Sequence, residues 1–408
     1  MGFVRFFVEH CRFLGYGFLM TFLVSFGQTF YISVFGGEIR DAFGLSHGGF
    51  GAAYGIGTLA GGIMLILLGR AIDHIDLRPY TAAIVIGLAV GCLSLRFAEG
   101  VVTLAGAFFL LRLFGQGLMS HTATTAMARY FEPGMRGRAV SVAVLGFAAG
   151  EALFPGLAVF LIGAIGWRET WLVGSLALVV LFLPILLFLL RGHSTRHRLL
   201  AQRLTGTASM TGLGRQWSRR EVVRDPCFFI AMLAIVSPGF ITTGLFFHQV
   251  HLVDSKGWTL GWFATCFVAF AVLKVCGSLI SGELVDRFGA RKLSVLYLPP
   301  LSVGLLVLGL FDTPISAMVF MVLAGLNGGM GQTLMGTLWA EVYGVRHLGA
   351  VRSLAFGLMV FASAAAPPIF GVLYDLGVSV ETVAFFSAGY CLFSTAMLAR
   401  LFRNGYQG

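Results

Sequence analysis

The stretch Gly282-Glu283-Leu284-Val285-Asp286-Arg287-Phe288-Gly289-Ala290-Arg291 is a short polar turn between two long apolar runs. A related stretch, Gly69 to Arg78, reads Gly-Arg-Ala-Ile-Asp-His-Ile-Asp-Leu-Arg. Both copies place Asp four positions and Arg nine positions after Gly, and 213 residues separate them in a chain of 408. Because this distance is about half the chain, the pattern indicates a duplicated segment with equivalent turns.

The composition is that of a membrane protein. The chain is 57% hydrophobic and only 11% charged, whereas a soluble domain needs more charge on its surface. A helix needs about 20 apolar residues to cross the hydrocarbon core. The sequence predicts twelve such spans, at 13–35, 48–69, 80–97, 101–128, 139–163, 170–190, 226–247, 259–281, 293–311, 315–338, 351–373 and 381–401.

The distribution of basic residues predicts the orientation. With the N-terminus inside, 22 of the 28 Lys and Arg residues fall on the cytoplasmic side and four on the outer side, as the positive-inside rule requires. Both termini are therefore expected in the cytoplasm, and the net charge of +10 needs no nucleic acid to explain it. We predict a first half at 1–190, a basic cytoplasmic linker at 191–225 and a second half at 226–408.

Further matches support the duplication. At an offset of 212, Gly117 meets Gly329 and Pro155 meets Pro367. An offset that contains an even number of spans gives parallel repeats about an axis along the membrane normal. The expected fold class is an all-α integral membrane protein with twelve transmembrane helices in two six-helix parallel-repeat halves.

These features resemble the major facilitator superfamily. Its loop between the second and third helices is similar to Gly282–Lys292, and its fourth-helix signature resembles Arg112-Leu113-Phe114-Gly115-Gln116-Gly117. The segments 247–251, 150–155 and 337–344 are similar to the bacterial monocarboxylate and oxalate/formate carrier branch. The resemblance implies alternating-access transport and a cytoplasmic gate formed by Gly69, Asp73, Arg78, Gly282, Asp286, Arg287, Gly289 and Arg291. Ordinary turn residues are the other interpretation of these positions.

Three charges lie well within the predicted spans, and such charges are functional candidates because burying them is costly. Arg112 and Glu151 lie on neighbouring spans at similar depth, so we hypothesise that they pair and carry substrate or protons; a static structural pair is the alternative. Lys274 lies near the inner end of its span, where it either binds an anion or extends its ammonium to the cytoplasm.

Uncharged polar residues are also candidates in the spans that line the cavity of the resembled fold. For each of them, a hydrogen bond between helices is the alternative to a contact with substrate. These residues are Gln28, Tyr31, Gln116, Asn327 and Gln332. His248 and His251 form either a pH-sensitive outer gate or two interfacial side chains without a special role.

The sequence predicts a secondary active transporter of a small organic anion, such as a monocarboxylate, by proton symport or anion exchange. The alternative is proton-driven efflux of lipophilic solutes. No phosphate-binding loop of an ATP-driven pump and no catalytic cluster of an enzyme is present. No cofactor or metal is expected. The expected setting is a bacterial inner membrane, and the expected partners are a small-molecule substrate, protons and the lipid bilayer, with the monomer as the functional unit.

Overall fold

The computed structural model describes residues 3–73, 75–131, 136–193, 196, 217, 219–343 and 348–403. A few side chains within these ranges, including those of Asp73 and Asp286, lie outside the described part. The described part contains helices and no strand. It divides into two compact units, residues 1–44 with 53–210 and residues 45–52 with 211–408.

The helices of the first unit follow one another with short connections. They are α1 (Phe3–Leu23), α2 (Thr29–Ile32), α3 (Gly36–Phe43), α4 (His47–Leu68), α5 (Leu77–Arg96), α6 (Val101–Leu110), α7 (Ser120–Tyr130), α8 (Arg136–Ile165), α9 (Trp167–Leu176) and α10 (Leu183–Leu189). Two π-helical segments, Leu111–Met119 and Ala177–Phe182, continue α6 into α7 and α9 into α10. The first turn of α4 belongs to the second unit.

The second unit alternates long helices with three short ones. Its helices are α11 (Arg219–Arg224), α12 (Pro226–Phe247), α13 (Gln249–Ser255), α14 (Leu260–Phe288), α15 (Ala290–Leu296), α16 (Leu298–Leu310), α17 (Pro314–Tyr343), α18 (Leu348–Asp375) and α19 (Val380–Arg403).

Eleven apolar stretches of the described residues are long enough to cross a membrane. A bent pair, Phe7–Gly27 with Thr29–Phe43, gives a twelfth span when its two parts are counted together. Each of the twelve stretches overlaps one predicted span, so the prediction of an all-helical, twelve-span fold is confirmed. The first span differs from its prediction because it is broken, with a bend of 46° between its two parts.

Glycine allows equivalent helices to touch in both units. A Cβ atom on Gly329 of α17 would lie 2.1 Å from the carbonyl oxygen of Lys274 on α14. A Cβ atom on Gly57 of α4 would lie 2.8 Å from the backbone nitrogen of Phe109 on α6. In both units, therefore, the second and fourth spans meet backbone to backbone. Small residues give this close contact between membrane helices, where lipid leaves little hydrophobic driving force.

An ion pair begins the last span of each unit. Glu169 and Glu381 are 212 residues apart in the sequence. Glu169 contacts Arg96 at 2.7 Å, and Glu381 contacts Lys256 at 2.7 Å. Lys256 also contacts Asp312 at 2.5 Å, and its side chain is fully buried. The second unit thus encloses a cation that the first unit leaves partly exposed.

The two carboxylates determine the protonation of Lys256. Burial by itself lowers the pKa of the ammonium, but hydrogen bonds and attraction from Asp312 and Glu381 outweigh it, so the pKa is raised above its ordinary 10.5. A raised pKa means that the folded state favours the charged form. This contribution to stability is complete below about pH 10.5 and is lost as the pH rises through the folded-state pKa.

We expect Glu381→Gln to destabilise the protein more than Glu169→Gln. Loss of a charged hydrogen bond to a buried ammonium costs about 1.5–3 kcal/mol, whereas a partly exposed pair contributes about 0–1 kcal/mol. Thermal unfolding of both variants in the same detergent at pH 7.5 measures the difference. Equal shifts in Tm would contradict the distinct burial of the two cations.

Candidate functional site

The first span is broken at Gln28, whose backbone is extended (φ −85°, ψ 148°). In a continuous helix the Gly27 carbonyl would accept from the N–H of Tyr31, but that N–H donates to Gln28 O at 3.2 Å. Arg112 takes its place, since its Nη1 donates to the Gly27 carbonyl at 3.0 Å. A carbonyl exposed at membrane depth costs several kcal/mol, so this hydrogen bond stabilises the break.

Tyr54 of α4 completes the support of the break. The Arg112 guanidinium carbon lies 5.2 Å from the centre of the Tyr54 ring. The Tyr54 hydroxyl forms a 2.7 Å hydrogen bond with the Thr29 hydroxyl, on the other side of the break. Arg112 and Tyr54 therefore hold the chain on both sides of Gln28. We call Gly27, Thr29, Tyr54 and Arg112 the break site.

The π-helical segment brings Arg112 to this position. A Cβ atom on Gly27 would lie 2.3 Å from the Leu111 carbonyl and 2.6 Å from the Gln116 nitrogen. A Cβ atom on Gly115 would lie 2.8 Å from the Cα of Gly27. The two backbones are thus in direct contact, which only glycine permits at these positions. Single π-helical turns are often found at functional sites in helices.

Arg112 is a buried cation without a carboxylate contact among the described residues. Its exposed fraction is 5%, and its Nε has no hydrogen-bond partner there. The described contacts of Arg112 go to Gly27 and Tyr54, and the hypothesised pair with Glu151 is not among them. Glu151 is half-buried on α8, next to Gly150, where α8 packs against α1.

The other candidates of the first unit have different surroundings. Tyr31 is 3% exposed and lies in a packed aromatic cluster with Phe26, Phe35, Phe154 and Trp171. This packing gives Tyr31 a structural role. Gln28 and Gln116 are half-buried, at the break and on the facing π-helical segment.

The candidate residues of the second unit also differ in their surroundings. Asn327 of α17 is buried, and its side-chain amide donates to the Tyr297 carbonyl at 2.7 Å. Tyr297 lies between α15 and α16, so this hydrogen bond joins α17 to that connection. Gln332 is exposed. The Lys274 ammonium lies 5.5 Å from the centre of the Phe270 ring. Phe270 is one turn nearer the start of α14 than Lys274, and both interpretations of Lys274 stay predictions.

Comparison with known proteins decides the family. A profile of the Major Facilitator Superfamily matches residues 17–273 and 239–407, which together cover almost the whole chain. The chain belongs to the major facilitator superfamily. It is therefore a transporter and not an enzyme. No curated protein matches the sequence.

Solved structures of the superfamily share this fold. A bacterial homologue of the human lysosomal transporter Spinster, inward-facing and occupied, matches with a TM-score of 0.67 at 15% identity, covering 95% of this chain and 96% of that chain. The inward-facing, unoccupied form matches with a TM-score of 0.69 at 14% identity, covering 96% and 97%. The likeness concerns the fold alone, and the resemblance to the monocarboxylate and oxalate/formate branch stays a prediction.

The superfamily's turn is visible in the second unit. Gly289 has a positive φ of 85°, which suits glycine, and begins α15. Glu341 accepts from the Ala290 N–H at 2.6 Å and lies 3.5 Å from Arg291 Nε. Arg287 pairs with Glu283 on the exposed surface. The turn is thus closed within its own unit by a carboxylate from the end of α17, a partner that the sequence analysis missed.

The turn of the first unit is built differently. Asp76 accepts from the Arg78 N–H at 2.8 Å and caps α5, and Gly69 is buried beside His121. The side chains of Asp73 and Asp286 lie outside the described part of the structure. The gating role of all eight turn residues stays a prediction.

His248 and His251 lie in a larger cluster. His47 is 4.4 Å from His251 and 5.6 Å from His248 between ring centres, and Tyr374 contacts all three rings. Asp375 accepts from the His47 and Gly48 N–H groups at 3.0 and 2.8 Å, which caps α4. Within the described residues, no group of His, Cys, Asp or Glu side chains suits a metal ion.

We expect Gly27→Ala to destabilise the first unit, because a methyl group at Gly27 would overlap the Leu111 carbonyl. Overpacking of this kind costs about 1–3 kcal/mol. Gly106→Ala on α6 is the matched control, since nothing lies within 4 Å of its added Cβ. Thermal unfolding should show a lower Tm for the first variant and an unchanged or slightly higher Tm for the second. A tolerated Gly27→Ala would contradict the backbone contact.

Glu341→Ala should also lower Tm, because the start of α15 loses its cap at a cost of about 0.5–2 kcal/mol. Glu283→Ala removes a carboxylate of the same turn from an exposed pair with Arg287, which contributes about 0.3–0.5 kcal/mol. If the two variants unfold at the same temperature, Glu341 does not stabilise the turn at Gly289.

Proposed function

We propose that this transporter is secondary active and carries a small organic anion, such as a monocarboxylate, with Arg112 as the anion-binding group. The proposal rests on one observation. Arg112 is a buried guanidinium whose described contacts are a carbonyl and an aromatic ring, with no carboxylate among them. A bound anion would supply the missing negative charge.

The energetics favour an ion of opposite charge. Burial of a charge costs several kcal/mol unless it is paired, and a carbonyl dipole and a ring face compensate only part of it. The guanidinium keeps its charge and presents five N–H donors, which suit a carboxylate. The Nη1 hydrogen bond to Gly27 leaves other donors available, and Nε is one that has no partner among the described residues.

Lys274 is the second unit's contribution to the proposal. Its ammonium is half-buried and lies over Phe270, within the α14 span. The predicted spans hold two cations, Arg112 and Lys274, against the one carboxylate of Glu151, and this surplus favours an anionic substrate.

Glu151 is the proposed site of proton coupling. It is half-buried within the span Ala139–Ile165, in the same unit as Arg112. Among the charges well within the predicted spans, Glu151 is the one carboxylate, and this supports the assignment. We propose proton symport or anion exchange, and Glu151 is needed only for the first.

The proposed setting follows the basic residues. Their excess on one side supports a cytoplasmic position for both termini. We propose a bacterial inner membrane, because the chain uses 25 Arg and only three Lys, a bias that suggests a GC-rich bacterial genome. We propose that the monomer is the functional unit.

Flux in proteoliposomes tests the role of Arg112. We expect uptake of a monocarboxylate panel (formate, acetate, lactate) and oxalate by the wild type, and a loss of about 10- to 100-fold in Arg112→Met, because a charged hydrogen bond contributes about 1.5–3 kcal/mol. Arg112→Lys should retain only part of the uptake, because the ammonium keeps the charge but cannot replace the planar donors of the guanidinium.

Tyr54→Phe is the matched control. It keeps the ring under Arg112 and removes the hydrogen bond to Thr29, so it should lower Tm slightly while anion uptake continues. Full anion uptake by a folded Arg112→Met would overturn the role of Arg112. Efflux of lipophilic dyes without uptake of any carboxylate would overturn the substrate class and favour the lipophilic-efflux alternative.

Lys274→Met and Lys274→Arg test the second cation in the same assay. We expect a severalfold rise in KM for the anion in the Met variant and a smaller one in the Arg variant, because charge at this position is retained. An unchanged KM in Lys274→Met would remove Lys274 from the proposed site.

Glu151→Gln separates symport from exchange. With an imposed pH gradient, we expect the variant to lose gradient-driven accumulation and to keep anion-for-anion exchange, because a neutral amide cannot carry the proton. If gradient-driven accumulation is unchanged, Glu151 is not the coupling group.

A further inference from the structure

The second unit has a large apolar groove outside the residues discussed so far. It has a volume of about 1100 Å³ and lies between α12, α18 and α19. Its walls are mainly aromatic and aliphatic side chains, among them Phe240, Ile369, Leu373, Phe386 and Phe393. Its size and composition exclude a site for a small hydrophilic solute and indicate a hydrocarbon ligand.

The groove opens toward the lipid. Phe386 is 78% exposed, Phe393 56% and Ile369 47%, and all three lie within membrane-spanning stretches. Outward-facing side chains at this depth meet acyl chains and not water. The medium that reaches the groove is therefore the hydrocarbon of the bilayer.

Two polar side chains of the lining form hydrogen bonds within the protein. Tyr390 donates its hydroxyl to the Leu233 carbonyl at 3.2 Å, and Ser237 donates to the Ala234 carbonyl at 2.8 Å. These two groups are satisfied without a ligand. Most of the remaining lining is aromatic or aliphatic, so the groove offers mainly apolar contact.

The length of the groove matches one leaflet. Its lining on α19 runs from Thr382 to Phe393, and Phe393 lies eleven positions after Thr382, which is about 16 Å at 1.5 Å per residue. The hydrocarbon core is about 30 Å thick, so one leaflet accounts for about 15 Å. The lining begins beside Glu381, at the end of the helix, as expected for a chain whose head group lies at the interface.

We propose that this groove is a binding site for one acyl chain of a bilayer lipid. Gly389 marks its open wall, because an added Cβ would meet no heavy atom within 4 Å. A larger residue at Gly389 would therefore enter the space of the acyl chain without colliding with the protein. This proposal is independent of the anion-transport proposal, since Arg112, Glu151 and Lys274 do not line the groove.

A photoactivatable lipid tests the proposal. The full-length protein is reconstituted in phosphatidylcholine vesicles that contain a trace of phosphatidylcholine with a diazirine in mid-chain. After irradiation, mass spectrometry maps the labelled residues. We expect severalfold denser labelling of the groove walls than of other lipid-facing helices. Even labelling of all lipid-facing helices would overturn the proposal.

Substitutions make the test specific. Gly389→Leu should reduce groove labelling severalfold, and Leu373→Trp should do so from the opposite wall. Gly156→Leu on α8 is the matched control, because Gly156 is also exposed with open space around its Cβ. Thermal unfolding and gel filtration establish that each variant is folded.

Two outcomes would reject the acyl-chain site: labelling that Gly389→Leu and Leu373→Trp leave unchanged, and an equal loss in Gly156→Leu. Anion uptake in the same vesicles is a separate measurement, so failure of one proposal is distinguishable from failure of the other.

Discussion

The hydrogen bond from Arg112 to the Gly27 carbonyl is the constraint on which the first unit depends. A span cannot leave a backbone carbonyl unsatisfied in hydrocarbon, yet the first span is broken at Gln28. The guanidinium supplies the donor that the helix lacks. This requires backbone contact between Gly27 and Gly115, and the π-helical segment 111–119 supplies it. The break in the first span therefore depends on the π-helical segment and on the buried Arg112, and each of these features requires the others.

The sequence predicts the spans well because their signal is local. A run of about 20 apolar residues is sufficient to indicate a crossing helix. The break was missed because neither Gly27 nor Gln28 interrupts the apolar run as proline would. The described contacts of Arg112 go to Gly27 and Tyr54, which depth along two straight helices does not indicate. Only the three-dimensional structure shows that Tyr54, from a span without charges, lies against Arg112.

The two units are alike at positions of close helix packing and differ in the partners and positions of their charged residues. The glycine contacts between the second and fourth spans occur in both units, because close helices limit the side chain in the same way. Glu169 and Glu381 keep the same position, but one meets a partly exposed Arg96 and the other a buried Lys256. The intramembrane cations, Arg112 and Lys274, lie on different spans of their units. The duplication therefore predicts the packing of the helices but not the positions of the intramembrane charges.

The structural and the proposed binding role of Arg112 are compatible because a guanidinium has several donors in one plane. Nη1 stabilises the break, while Nε has no partner among the described residues. An anion that used the remaining donors would leave the hydrogen bond to Gly27 intact. The charge would then gain its counterion without loss of the carbonyl's only described donor. A lysine at this position could not meet both demands with the same geometry, because its ammonium is a single point of charge. The break in the first span thus accounts for a buried arginine even in the absence of substrate, and the proposed anion would complete its charge balance.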